Sequence, residues 1–151
     1  MRNIINHTHH LALTGLLALT LSACDGDDGG DGLASAAIDI AGSYADDFGT
    51  NHTINDDGWT QSSEGAADSS FAFVEIDNAG QFAIAQNGAD NGFAPSMYSK
   101  FEWTFDEAGD LYYCQPAFDA MTAEDASAAS ADTGDLAAGC GGFGWSKLTA
   151  S

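Results

Sequence analysis

The 151-residue chain carries 23 acidic residues against 3 basic ones, a formal net charge of −20. So few cations exclude nucleic acid as a partner, because holding phosphate takes clustered Lys and Arg. The same deficit excludes charge-driven adhesion to anionic headgroups. The simplest consequence of the acidity is solubility through self-repulsion, and the length fits one domain with a core of ordinary size.

The charge is unevenly placed. Residues 1–23 contain no acid and include Arg2, whereas the part from Cys24 onward holds all 23 acids beside only Lys100 and Lys147. Met1–His10 is short and polar, and Leu11–Leu21 (LALTGLLALTL) is an uncharged apolar run. That run is shorter than the roughly 20 apolar residues a membrane-spanning helix needs, and it has the length of a signal-peptide core. It closes on Leu21-Ser22-Ala23-Cys24, which resembles the lipobox of bacterial lipoproteins at every position. The resemblance implies cleavage between Ala23 and Cys24 and a diacylglycerol on the Cys24 thiol. The partner is then the lipid bilayer, reached through acyl chains, and the address is the cell envelope, at the inner or outer membrane or the cell surface. Two or more chains anchor stably where one, at about 0.8 kcal/mol per CH₂, is marginal.

With Cys24 lipidated, Cys114 and Cys140 remain of the three cysteines. Outside the cytoplasm such a pair is expected to form a disulfide, which contributes about 3 kcal/mol in the chain-entropy model. Asp25–Gly32 (DGDDGGDG) has no apolar group to bury and reads as a self-repelling tether. Its Asp25, Asp27 and Asp31 have part of a calcium-loop spacing, but Gly29 and Ala36 stand where that loop needs acids. The chain thus divides into a leader over 1–23, a lipidated cysteine and linker over 24–37, and a β domain over 38–151.

Within the domain, strands are predicted near 38–48, 51–56, 58–63 and 142–148. The clearest pattern is a repeat: 73–86 read FVEIDNAGQFAIAQ and 102–115 read EWTFDEAGDLYYCQ, each centred on Asp-x-Ala-Gly. Asp and Gly so spaced predict type I hairpin turns closed by a left-handed Gly. Alternation around them places Val74, Ile76, Phe82 and Ile84 on one face, and Trp103, Phe105, Leu111 and Tyr113 on the matching face, both expected in the core. Thr122–Ala131 is Ala-rich, with Thr122 and Asp125 at capping-box spacing, and predicts a short surface helix. The expected architecture is mainly β: a small antiparallel up-and-down barrel or clamshell of about seven strands with one short helix. Gly42-Ser43-Tyr44, followed by Trp59, resembles lipocalin-like small barrels and implies that fold.

No catalytic residue, metal ligand or cofactor is expected. His52 is the single histidine after the leader; with Asp56 and Asp57 nearby it is the strongest candidate for a metal or a general base, yet no nucleophile motif accompanies it. Glu75 and Glu102 occupy nearly corresponding repeat positions and are expected on a solvated outer face. The Ala89-Asp90-Asn91-Gly92 segment reads as turn rather than calcium loop. The function expected is a monomeric, non-enzymatic envelope lipoprotein acting as a binding or structural module on a protein or small-molecule partner of unknown identity. The alternative is a carrier of a small apolar ligand, and a hydrolytic enzyme ranks third.

Overall fold

A computed structural model describes residues 37–151; Cys24, its cleavage site and the acidic linker up to residue 36 lie outside the described residues. Eight strands close into one antiparallel barrel with neighbours in chain order. They are β1 (Gly42–Asp46), β2 (Asn51–Asn55), β3 (Gly58–Ser62), β4 (Ser69–Asp77), β5 (Phe82–Asn87), β6 (Tyr98–Phe105), β7 (Leu111–Ala120) and β8 (Ser146–Ala150), with α1 (Ala123–Ala128) between the last two. Closure comes from β1 pairing with β8, Tyr44 opposite Ala150 and Asp46 opposite Leu148, so the sheet has no terminal strand. The expected strand over 142–148 begins later, at Ser146, and Ile38–Ala41 forms a turn ahead of β1 rather than its first residues.

The barrel axis is filled by large rings set against small residues. Trp59 stacks on Phe101 at 4.6 Å between centroids, and Phe71 meets Phe101 edge-on at 5.0 Å. Ala83 and Ala85 on β5 face these rings and leave them room, the large-against-small matching that a narrow barrel demands. One end is closed by Ile38 and Ile40, both buried in the same core. Asp56 accepts the Ile38 N–H, and Asn78 accepts the Asp39 N–H while donating to the Ala37 carbonyl. The plug is thus tied to the β2–β3 and β4–β5 turns.

The expected hairpin faces are corrected by a β-bulge on β4 and by the register across the turn, where Ile76 pairs with Ala83. Phe73 pairs with Ala85 but Glu75 pairs with Ile84, so two residues on β4 oppose one on β5. Phe73 and Ile76 pack on the core cluster, and Val74 between them is 54% exposed. Ile84 is fully buried, yet on the outer wall beneath α1, whereas Phe105 at the end of β6 is half-exposed. The turns of the repeat differ too. Gly109 takes the expected left-handed conformation with φ 85°, but in the first copy that role falls to Gln81, φ 56°. Gly80 lies close under the Asp77 side chain, where a Cβ would sit 2.8 Å from the carboxylate and push it aside.

The outer wall under α1 holds a buried ion pair. Lys100 Nζ lies 2.7 Å from Glu102 Oε1, donates to the Ser127 and Ala129 carbonyls, and sits over the Phe82 ring. Glu102 in turn accepts the Ala131 N–H. Glu102 therefore departs from its expected solvated position, because the α1 segment covers it; Glu75 remains exposed. Thr122 caps α1 by accepting the Asp125 N–H, and Cys114 and Cys140 lie at disulfide distance, Cα–Cα 5.7 Å.

Removing one member of this pair leaves a buried charge alone. We expect Lys100→Met to cost about 3–5 kcal/mol in urea unfolding. The double variant Lys100→Met/Glu102→Leu should recover part of that loss. Equal destabilisation of single and double variants would show that the two charges do not act as a unit.

Candidate functional site

Two places concentrate polar chemistry inside the wall: the Asp46–His52 pair near the axis and the mouth opposite the isoleucine plug. The first begins with a turn. Asp46-Asp47-Phe48-Gly49 brings φ to 85° at Gly49, and the Asp46 carboxylate accepts the N–H groups of Phe48 and Thr50. Asp106-Glu107-Ala108-Gly109 repeats this arrangement, with Asp106 accepting from Ala108 and Asp110. The structural counterpart of the 106 turn is therefore the turn at 46. The sequence signal for it was Asp-x-x-Gly.

The second Asp46 oxygen, Oδ2, lies 3.2 Å from His52 Nε2, and His52 Nδ1 accepts the Trp59 indole N–H at 3.0 Å. An indole nitrogen only donates, so Nδ1 is unprotonated and the proton of the neutral ring resides on Nε2, facing Asp46. His52 and the Asp46 carboxylate are both buried. Burial lowers the His52 pKa below its ordinary value, outweighing the hydrogen bond and charge of Asp46, which act to raise it. Protonation would also set a second N–H against that of Trp59. Tyr113, edge-on to His52 with centroids 4.9 Å apart, is pushed up to about 12 by burial, with the Asp46 charge adding to the effect. Both imidazole nitrogens are occupied by protein groups, so the arrangement orients rings and leaves no free base. Asp56 and Asp57, the expected neighbours of His52, sit in the β2–β3 turn instead; its partner is Asp46.

The second place is the mouth. Strand alternation brings the β1–β2 turn, the β3–β4 and β5–β6 loops and the β7–β8 segment to one end. Here the interior turns polar: Ser99 donates to Asn87 Oδ1 at 2.6 Å, and Gln115 donates to the Ser99 hydroxyl. The Asn87 amide donates to the carbonyls of Ala94 and Phe118, which fixes the β5–β6 loop against the end of β7. That loop holds Ala94 and Ser96 at φ 45° and 62°, conformations that non-glycine residues keep only when neighbours enforce them. Asn91 is committed as well, bonding both backbone groups of Ser70. A cleft of about 260 Å³ lies between Gln61, Ser69, Phe71 and Gln115, with Phe93 and Phe118 at its lip. Beside it a notch of about 190 Å³ runs between Phe118 and Phe143 over Pro116 and Cys140.

Among the described residues, no three His, Cys, Asp or Glu side chains group to hold a metal. Glu75 and Glu102 form no facing pair, since Glu102 is engaged by Lys100. No signal in the sequence marked Phe93, Phe118 and Phe143: Phe93 and Phe143 stand in irregular segments without a period, and Phe118 lies near the end of β7, where register shifts against β6 break the alternation. Comparison of the chain with family models, curated proteins and solved structures found no match.

The His52 geometry sets a pH dependence. Its folded pKa lies below the unfolded 6.5, so below 6.5 the unfolded chain binds the extra proton and stability falls as pH drops toward the folded value. The limiting slope is about 1.4 kcal/mol per pH unit. Urea midpoints between pH 5.5 and 8 should rise with pH in the wild type and lose that component in His52→Gln. A slope unchanged in the variant would remove His52 as its source.

Proposed function

We propose that this chain is a bacterial envelope lipoprotein, anchored by acyl chains on Cys24 after cleavage behind Ala23, whose β barrel is a monomeric, non-enzymatic binding module. The binding face is the mouth. One observation carries this: of seven exposed large apolar side chains among the described residues, five (Phe48, Phe93, Phe118, Met121 and Phe143) lie at that end. Single exposed apolar residues need no explanation, but three of these, Phe93, Phe118 and Phe143, line the two adjoining recesses, and apolar side chains grouped around a recess mark an interaction site. Ala37, bonded to Asn78 of the β4–β5 turn, lies at the plugged end, opposite the aromatic mouth. The occupied nitrogens of His52 support the non-catalytic reading. The alternative, an apolar-ligand carrier, gains no support from an axis occupied by Trp59, Phe101 and Trp103.

Export also implies oxidation, and Cys114 and Cys140 stand ready for it. On this reading they form a bridge that holds the α1 segment to β7 and builds one wall of the notch beside Phe143.

Labelled palmitate fed to expressing cells should tag the wild-type product and not Cys24→Ala; equal labelling of both would refute the anchor. Non-reducing mass analysis of the isolated product should find one peptide joining Cys114 to Cys140. Reduction should lower unfolding stability by about 3 kcal/mol. Free thiols at both positions in the native product would contradict the bridge.

A further inference from the structure

The two recesses at the mouth are small, about 260 and 190 Å³. Pockets for whole small molecules run from about 300 to 1,000 Å³, so each recess suits one large side chain rather than a free ligand. They share Gln115 and Phe118, which makes them neighbours divided by one ring. Alternate side chains of an extended segment point the same way about every second residue, the arrangement needed to fill two adjoining recesses. The notch between Phe118 and Phe143 is floored by Pro116 and Cys140 and is the more apolar seat.

Charge selects among occupants. The loops of this end carry exposed Asp47, Glu64, Asp68 and Asp90, and the end of β7 and the start of α1 add exposed Asp119 and Glu124. Neither lysine of the described residues offsets them: Lys100 is buried against Glu102, and Lys147 pairs with Asp110, whose β6–β7 turn belongs to the plugged end. A second copy of this chain would bring the same charges and be repelled, as would an anionic lipid surface. An acidic rim around exposed aromatic rings complements a segment that is basic and apolar by turns.

We propose that the mouth binds an extended cationic segment of a partner protein, seating two of its apolar side chains on either side of Phe118 while its Lys or Arg residues face the acidic loops. This rests on the mouth being the binding face, and it adds the chemistry of the partner.

The probe is a short fluorescein-labelled peptide alternating Lys with Leu and Phe, titrated with the full-length product in neutral detergent and read by anisotropy. Phe93→Ser and Phe143→Ser should each weaken binding roughly tenfold or more, with thermal midpoints unchanged because both side chains are exposed. Asp90→Asn/Asp119→Asn should flatten the salt dependence of binding. Val74→Ser on the outer wall and Phe105→Ser at the other end should bind as wild type. Equal binding of a peptide with Glu in place of Lys overturns the cationic partner. Failure of the Lys peptide, together with binding of phosphatidylcholine vesicles that Phe93→Ser and Phe143→Ser abolish, keeps the mouth as the binding face and overturns the peptide. Peptide binding that survives both mouth substitutions but is lost in Val74→Ser or Phe105→Ser overturns both. No binding of either probe overturns the peptide proposal.

Discussion

The buried indole N–H of Trp59 is the constraint from which much of this barrel follows. Its ring fills the axis, stacked on Phe101 and tilted against Tyr113, which puts a hydrogen-bond donor where water cannot reach it. An unmet donor of that kind costs about 1–3 kcal/mol. His52 meets it, and its own remaining N–H is met by Asp46, which in turn holds the turn that joins β1 to β2. One aromatic side chain thereby determines a tautomer, a buried carboxylate and the geometry of the first hairpin.

The same rule governs the other buried polar groups. Asn87 spends its amide on two loop carbonyls and its oxygen on Ser99. Lys100 divides its protons among Glu102 and the carbonyls at the end of α1. Among the described residues no buried side-chain polar atom lacks a partner, as native interiors require. These networks do more than satisfy atoms. The Asn87 network holds the β5–β6 loop in a conformation its residues do not favour, and so presents Phe93 and Phe118 together at the mouth. The Lys100 network fastens a six-residue helix, too short to be stable alone, over an otherwise exposed part of the wall.

The two ends of the barrel therefore differ in chemistry. One is closed with isoleucine and tied to the incoming chain. The other has a polar interior, a rim of exposed rings and loops bearing only negative charge. An exposed apolar cluster persists at a cost in solubility, which the acidity of the surrounding loops offsets by keeping copies apart. This pairing of aromatic rim and acidic loops gives the mouth its selectivity for charge as well as for shape.

Much of the architecture was legible from local pattern alone. Period-two alternation and Asp-x-x-Gly turns mark strands and hairpins because both are properties of a few adjacent residues. They led to an antiparallel barrel with one capped helix, differing by one strand from the eight observed. The lipobox-like Leu21-Ser22-Ala23-Cys24 is likewise a pattern of four adjacent residues. Neither the bulge at Val74 nor the register across the first hairpin was legible: the bulge turns Val74 outward, and the pairing of Ile76 with Ala83 puts Ala83 and Ala85 inside and Ile84 on the outer wall, which alternation within one strand cannot report. Nor was the partner of His52. Asp56 is closer to it in sequence than Asp46, but inward direction and the demand of Trp59 decide the pairing. The gathering of Phe93, Phe118 and Phe143 from separate segments is likewise a product of closure. By itself the sequence determined the period, the turns and the charge; only the closed sheet decided which side chains meet, because contacts between distant segments depend on register and shear that no local window contains.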